Sequence, residues 1–118
     1  MEPRITSPAI SVPSVAEAMQ ALGRAANDAA EAAGVPPTTI ELIGLRASQI
    51  NGCAVCLDMH ARSARKAGET DDRLFTLSAW REAPYFTDAE RAALALTEVG
   101  CRLADRTAPI PEEVFDQV

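Results

Sequence analysis

Aromatic side chains are scarce in this sequence: one Trp, one Tyr and three Phe among 118 residues. No apolar stretch approaches the ~20 residues a helix needs to cross a bilayer, so no membrane partner is expected. No basic segment followed by an apolar run lies near Met1, and no secretory leader is expected. The eleven Lys and Arg residues are dispersed against seventeen Asp and Glu, giving a formal net charge of −6. A chain without a basic stripe cannot track a phosphate backbone, so nucleic acid is not an expected partner. Alternating apolar and polar residues of strand type are absent, as is any repeat at a fixed period. Together these absences predict a soluble, cytosolic protein.

What remains is small and apolar. Nearly half of the residues are hydrophobic, and Ala, the best helix former, supplies much of that share. The composition predicts an all-α protein, and the pattern along the chain a compact bundle of about six helices. At this length one domain over 1–118 is expected, burying roughly two thirds of its unfolded surface.

Residues 1–12, with Pro3 and Pro8, read as an irregular arm. Ser14 and Glu17 fit a capping box at the start of a first helix carrying Val15, Met19, Leu22, Ala26 and Ala29. Gly34 is a natural stop, and Pro36-Pro37 prevents continuation. A second helix is expected from Thr38 or Thr39 to about Ile50, with Ile40, Ile43, Ala47 and Ile50 as its stripe and Leu42 and Leu45 beside it. Asn51-Gly52 breaks it. A third runs from near Cys53 to Gly68, with Arg62, Arg65 and Lys66 suiting the dipole at its C-terminal end. Thr70 opens a short fourth helix to about Leu77, and Ser78 to Pro84, around Trp80, reads as a further helical turn. Thr87 and Glu90 repeat the capping-box pattern before a fifth helix with Leu94, Thr97, Cys101 and Ala104 on one stripe, flanked by Ala93, Leu96 and Leu103. Past Pro109 and Pro111, PEEVFDQV reads as the first turns of a sixth helix. Its face is left to a partner chain or to a natural C-terminus lying further on.

Two of the three cysteines and the single histidine fall within one short stretch, as Cys53, Cys56 and His60. On a helix, positions i, i+3 and i+7 share a face. A thiol near a helix N-terminus is shifted toward thiolate by the dipole, and a His one turn beyond Cys56 can accept its proton. The thiolate is the form that attacks peroxides and disulfides, and a neighbouring thiol can resolve the product. In a cytosolic chain such a pair points to redox or metal chemistry rather than to a structural disulfide. A closed zinc site needs four ligands, and only three good ones stand here unless Glu41 joins them, an uncommon set. No metal and no cofactor is therefore expected. Haem attachment would need His directly after the second Cys, where Leu57 stands, and a thioredoxin fold would need strands. Cys101, alone in its helix, reads as a small buried hydrophobe. Gln49 and Asn51 either line the site or cap the second helix. The dipole favours Cys53 as the more acidic thiol, whereas proximity to His60 favours Cys56.

The stretch LRASQINGCAVCLDMHARSARKAGETDDRLFTLSAWREAPYFTDAERAALALTE resembles the carboxymuconolactone decarboxylase superfamily, and within it the alkyl hydroperoxidase D-like branch. The matching motif is Glu41, twelve residues before Cys53 of the Cys-x-x-Cys, with His60 four residues after Cys56. The resemblance, over about Ile40 to Ala104, implies an all-helical thiol peroxidase acting on hydrogen peroxide or organic hydroperoxides. It implies that Cys56 reacts with the peroxide, Cys53 resolves it as the Cys53–Cys56 disulfide, His60 takes the thiol proton and Glu41 orients His60. It implies an external dithiol reductant as partner, a lipoyl protein in the best-known branch, and a homo-oligomer: a dimer, trimer or hexamer. One departure stands out. That branch carries a further His between the cysteines, where Ala54 and Val55 stand here. The decarboxylase branch lacks the redox pair, so its lactone chemistry is not implied. A helical redox sensor or interaction module, switching without turnover, is the alternative from a different class. Unpartnered alanine-rich faces point independently to a homo-oligomer.

Overall fold

The computed structural model describes residues 6–7, 11–103 and 111–117. Among them the structure is all-α, with six α-helices, one 3₁₀ turn and no strand. The chain divides into two separately compact units, Met1–Pro36 and Pro37–Val118.

The first unit is built on one helix, α1 (Pro13–Ala32). Its N-cap is the extended residue Val12, with no side-chain capping bond. This corrects the expected Ser14–Glu17 box. Proline at the first helical position has φ already fixed for a helix and lacks only an N–H that would be orphaned anyway, so Pro13 starts the helix two residues early and Ser14 falls inside it. The stop is as expected: Gly34 takes φ 78°, and the N–H groups of Gly34 and Val35 close back on the carbonyls of Glu31 and Ala30 at 2.9 Å each, the Schellman arrangement.

The second unit carries α2 (Pro37–Asn51), α3 (Ala54–Lys66), α4 (Asp71–Thr76), the 3₁₀ turn Leu77–Ala79, α5 (Asp88–Cys101) and α6 (Glu112–Phe115). Helix α2 is the hub, packing against α3, α5 and the 3₁₀ turn. The core joins Leu42 and Leu45 of α2 to Ala64 of α3, Leu74 of α4, Leu94 of α5, and Leu77, Trp80, Ala83 and Phe86 of the turn and the loop beyond it. The fifth helix opens on the expected capping box, Thr87 Oγ1 accepting from the Glu90 N–H while the Glu90 carboxylate accepts from the Thr87 N–H.

Two expected stripes are displaced. On α2 the buried line is Thr39, Leu42, Leu45 and Ser48, while Ile40, Ile43, Ala47 and Ile50 are half-buried. Ser48 tolerates burial because its hydroxyl donates to the Gly44 carbonyl at 2.6 Å. On α5 the buried residues are Glu90, Ala92, Leu94, Glu98 and Val99. Thr97 and Cys101 are half-buried and Leu103 is exposed. Both glutamates can be buried because arginines from other elements meet them, which a count of apolar residues does not register. Ala104 and most of the expected arm, residues 1–5 and 8–10, lie outside the described residues.

Candidate redox site at the start of α3

The turn between α2 and α3 fixes the first sulfur. Gly52 adopts φ 68°, a left-handed conformation that costs glycine nothing and any side chain strain. The chain then reverses so that the Cys53 N–H donates to the Ser48 carbonyl at 3.1 Å. Cys53 thereby becomes the N-cap of α3, and its Sγ accepts the Cys56 N–H at 3.3 Å. A sulfur in the place usually taken by a Ser or Asp oxygen sits at the positive end of the helix. The two cysteines are bonded as a disulfide, with their Cα atoms 5.4 Å apart, and both are half-buried. The expected pairing of sulfurs within bridging reach is present.

His60 stands one turn beyond Cys56 on α3, and its Nδ1 is 2.8 Å from Glu41 Oε2 on α2. Each side chain is 25% exposed, so the pair lies at the edge of the core rather than within it. The 19-residue separation in sequence is closed by the packing of α2 against α3. With Nδ1–H donating to the carboxylate, Nε2 carries the free lone pair.

A fifth participant, not foreseen from the sequence, is Gly44. A Cβ placed there would stand 2.6 Å from His60 Nε2 and 2.7 Å from Nδ1, inside any permitted contact. The imidazole thus lies against the bare backbone of α2, one turn from the carboxylate it bonds. The available signal was a glycine in the middle of a helix, three residues from Glu41 and on the same face.

Gln49 belongs elsewhere: its Oε1 accepts from Arg46 at 2.9 Å. Asn51 is exposed at the end of α2. Cys101 is a free, half-buried thiol. Among the described residues, no group of three or more His, Cys, Asp or Glu is arranged to hold a metal ion, and no helix is long and apolar enough to cross a membrane.

The strongest electrostatics lie away from the sulfurs. Glu98 accepts from Arg46 Nε and Nη2 at 2.9 and 2.6 Å, from Trp80 Nε1 at 3.0 Å and from Arg81 Nη1 at 2.6 Å. Burial pushes this carboxyl up, but the hydrogen bonds from Arg81, Trp80 and Arg46, with the charge of Arg46, override it and bring the pKa to about 2. Arg81 also stacks over the Trp80 ring, 4.2 Å from its centroid. A second knot joins Arg73 to Glu69 and Glu90. Burial of Glu90 is again overridden, chiefly by the Arg73 hydrogen bond, and its pKa lies below the ordinary value.

Known proteins resemble this chain in sequence and in fold. The sequence pattern of the Carboxymuconolactone decarboxylase family matches residues 13–99. A protein of Bacillus subtilis named YdfG, uncharacterized, is 44% identical over 81 residues, which are 69% of this chain and 54% of YdfG. The alkyl hydroperoxide reductase AhpD of Streptomyces coelicolor is 42% identical over 65 residues, 52% of this chain and 36% of that enzyme. The chain therefore spans from about a third to about half of the length of these relatives. A crystal structure from Agrobacterium tumefaciens, of a protein of unknown function proposed as the antioxidant defence protein AhpD, superposes with a TM-score of 0.80 at 34% identity, covering 98% of this chain and 75% of that one. With most of its length inside the family pattern and its helices arranged as in that structure, the chain belongs to the carboxymuconolactone decarboxylase family.

Proposed function

We propose that this protein is a thiol-dependent peroxidase that reduces hydrogen peroxide or organic hydroperoxides through the Cys53/Cys56 pair, with His60 and Glu41 handling the proton. The observation that carries the reading is a bonded Cys-x-x-Cys at a helix N-terminus, one turn from an imidazole oriented by a carboxylate. The AhpD relatives support the antioxidant direction.

In the reduced protein His60 Nε2 takes the Cys56 proton, directly or through a water. The thiolate attacks the terminal oxygen of the hydroperoxide. The O–O bond breaks, its electron pair leaves with the alkoxide, and that oxygen is protonated to an alcohol or to water. Cys56 is now a sulfenic acid. Cys53 attacks the Cys56 sulfur, the S–O bond breaks, water leaves and the disulfide forms. An external dithiol, of which a lipoyl group is one chemical example, returns the two electrons by thiol–disulfide exchange. Glu41 fixes the tautomer and balances the imidazolium charge while the proton is held.

Peroxide consumption by the reduced protein, with dithiothreitol or dihydrolipoamide as electron source, tests this. Many equivalents should be consumed per chain, and Cys56→Ser should abolish turnover. A Cys56→Ser variant as fast as the wild type would overturn the mechanism. Oxidation that stops after one equivalent, with a change in elution volume, would favour a redox sensor instead.

A further inference from the structure

Three glycines lie inside long helices: Gly23 in α1, Gly44 in α2 and Gly100 in α5. None needs a left-handed conformation, since the positive-φ glycines are Gly34, Gly52 and Gly68. Glycine within a helix is destabilising relative to alanine, so each calls for a reason other than backbone geometry. For Gly23 and Gly100 a Cβ would meet nothing within 4 Å. For Gly44 it would run into one side chain, and the three nearest atoms are consecutive members of the His60 ring: Nδ1, Cε1 and Nε2. The nitrogen-bearing side of the imidazole is what fills the missing side chain's place.

The same helix face holds the ring from two directions. Glu41, three residues earlier, bonds Nδ1 at 2.8 Å. The Gly44 carbonyl is occupied by the Ser48 hydroxyl at 2.6 Å, so the backbone beneath the ring is itself tied down by a buried residue. A methyl group at position 44 cannot coexist with the ring where it lies. The backbone of a packed helix is stiff and the imidazole ends a rotatable side chain, so the ring would be the part to yield.

We infer that Gly44 is a positioning residue: its missing side chain is the seat that holds the His60 imidazole in register with the Glu41 carboxylate. Its effect on rate rests on the peroxidase reading above, whereas its effect on the ring does not. A side chain at position 44 uncouples His60 from Glu41, and the proton acceptor for Cys56 loses its fixed orientation.

Because His60 is the only histidine, its imidazole proton signals are unambiguous in an NMR spectrum. In the oxidised wild-type protein a close-range nuclear Overhauser cross-peak should join the Gly44 Hα protons to the His60 Cε1 proton. Glu41→Gln should move the His60 Cε1–H resonance in the wild-type background and leave it unmoved in a Gly44→Ala background, where the pair is already parted. Gly44→Ala should cut kcat for the hydroperoxide roughly 10²-fold, the scale of a small misplacement of a reacting group, with KM for the reductant retained. Gly23→Ala should change neither the resonance nor the rate. Absence of the wild-type cross-peak, or an equal response to Glu41→Gln in both backgrounds, would overturn the seat. Spectroscopic results as expected in a wild-type protein that consumes no peroxide would uphold the seat and overturn the peroxidase reading. Turnover without the cross-peak would do the reverse.

Discussion

Glu41 and Glu98 each tie α2 to a neighbouring helix, Glu41 from α2 to His60 of α3 and Glu98 from α5 to Arg46 of α2, yet they are built in opposite ways. Glu98 is 6% exposed at its side chain and is bonded by Arg46, Trp80 and Arg81, with Arg102 at 3.6 Å. Glu41 has its bond to a single imidazole and keeps a quarter of its side chain exposed. The first arrangement commits a carboxylate to its charge at every ordinary pH. The second leaves the carboxylate with one polar partner at the edge of the core. A buried, saturated acid holds helices together, and a half-buried acid with one partner can take part in proton transfer.

Removing each acid in turn is the sharpest way to break that contrast. Glu98→Ala leaves the largely buried Arg46 guanidinium without its counter-charge, and losing one member of a buried pair costs about 3–5 kcal/mol. Urea unfolding should register this as a large drop in midpoint, while the folded fraction should still react with peroxide. Glu41→Gln should do the opposite. Stability should change by less than about 1 kcal/mol, as for partly exposed pairs, while peroxide turnover falls by about 10²-fold, the lower range for losing general acid–base support. Equal effects of the two substitutions on stability, or none on turnover from Glu41→Gln, would erase the distinction.

Titration gives a gentler version of the same comparison. The Glu98 carboxyl lies at about 2 in the folded chain against an ordinary 4.5. Protons therefore bind the unfolded chain first as pH falls. The stabilisation by Glu98 is fully present above about pH 4.5 and is lost progressively as pH drops toward 2. Glu90, whose carboxyl is also lowered, acts with the same sign. Urea midpoints measured from neutral pH down to about pH 3 should fall steadily in the wild type, and the slope should be shallower in Glu98→Gln.

Much of the fold was legible in the sequence because its signals are local. Gly34, Gly52 and Gly68 ended helices where a left-handed residue was needed, and Thr87 with Glu90 announced α5. The Cys53, Cys56, His60 and Glu41 motif was readable as spacing. Three things were not. The buried stripe of α2 runs through the polar residues Thr39 and Ser48, and Ser48 is admitted by its bond to the Gly44 carbonyl rather than by hydropathy. Glu98 carries no local sign of its burial, since the arginines that meet it come from positions 46 and 81, far away in the chain. Gly44 offered only the oddity of a glycine inside a helix, and its reason lies in the ring of a residue sixteen positions later that rests against it.

The two capping-box motifs, one closed and one not, supply the smallest effects and a clean control on local reading. Both have Ser or Thr followed three residues later by Glu. At Thr87 the box is closed, and Glu90 is further held by Arg73 at 2.5 Å, so Thr87→Ala should cost about 1 kcal/mol, within the ordinary 0.5–2 of a lost N-cap. At Ser14 the motif is the same but Pro13 has already begun the helix from Val12, leaving Ser14 and Glu17 exposed. With no cap to lose, Ser14→Ala should shift the unfolding free energy by no more than about 0.5 kcal/mol, and alanine's higher helix propensity favours the stabilising sign. A destabilisation matching that of Thr87→Ala would mean that Ser14 caps α1 after all, and that Pro13 stands outside the helix.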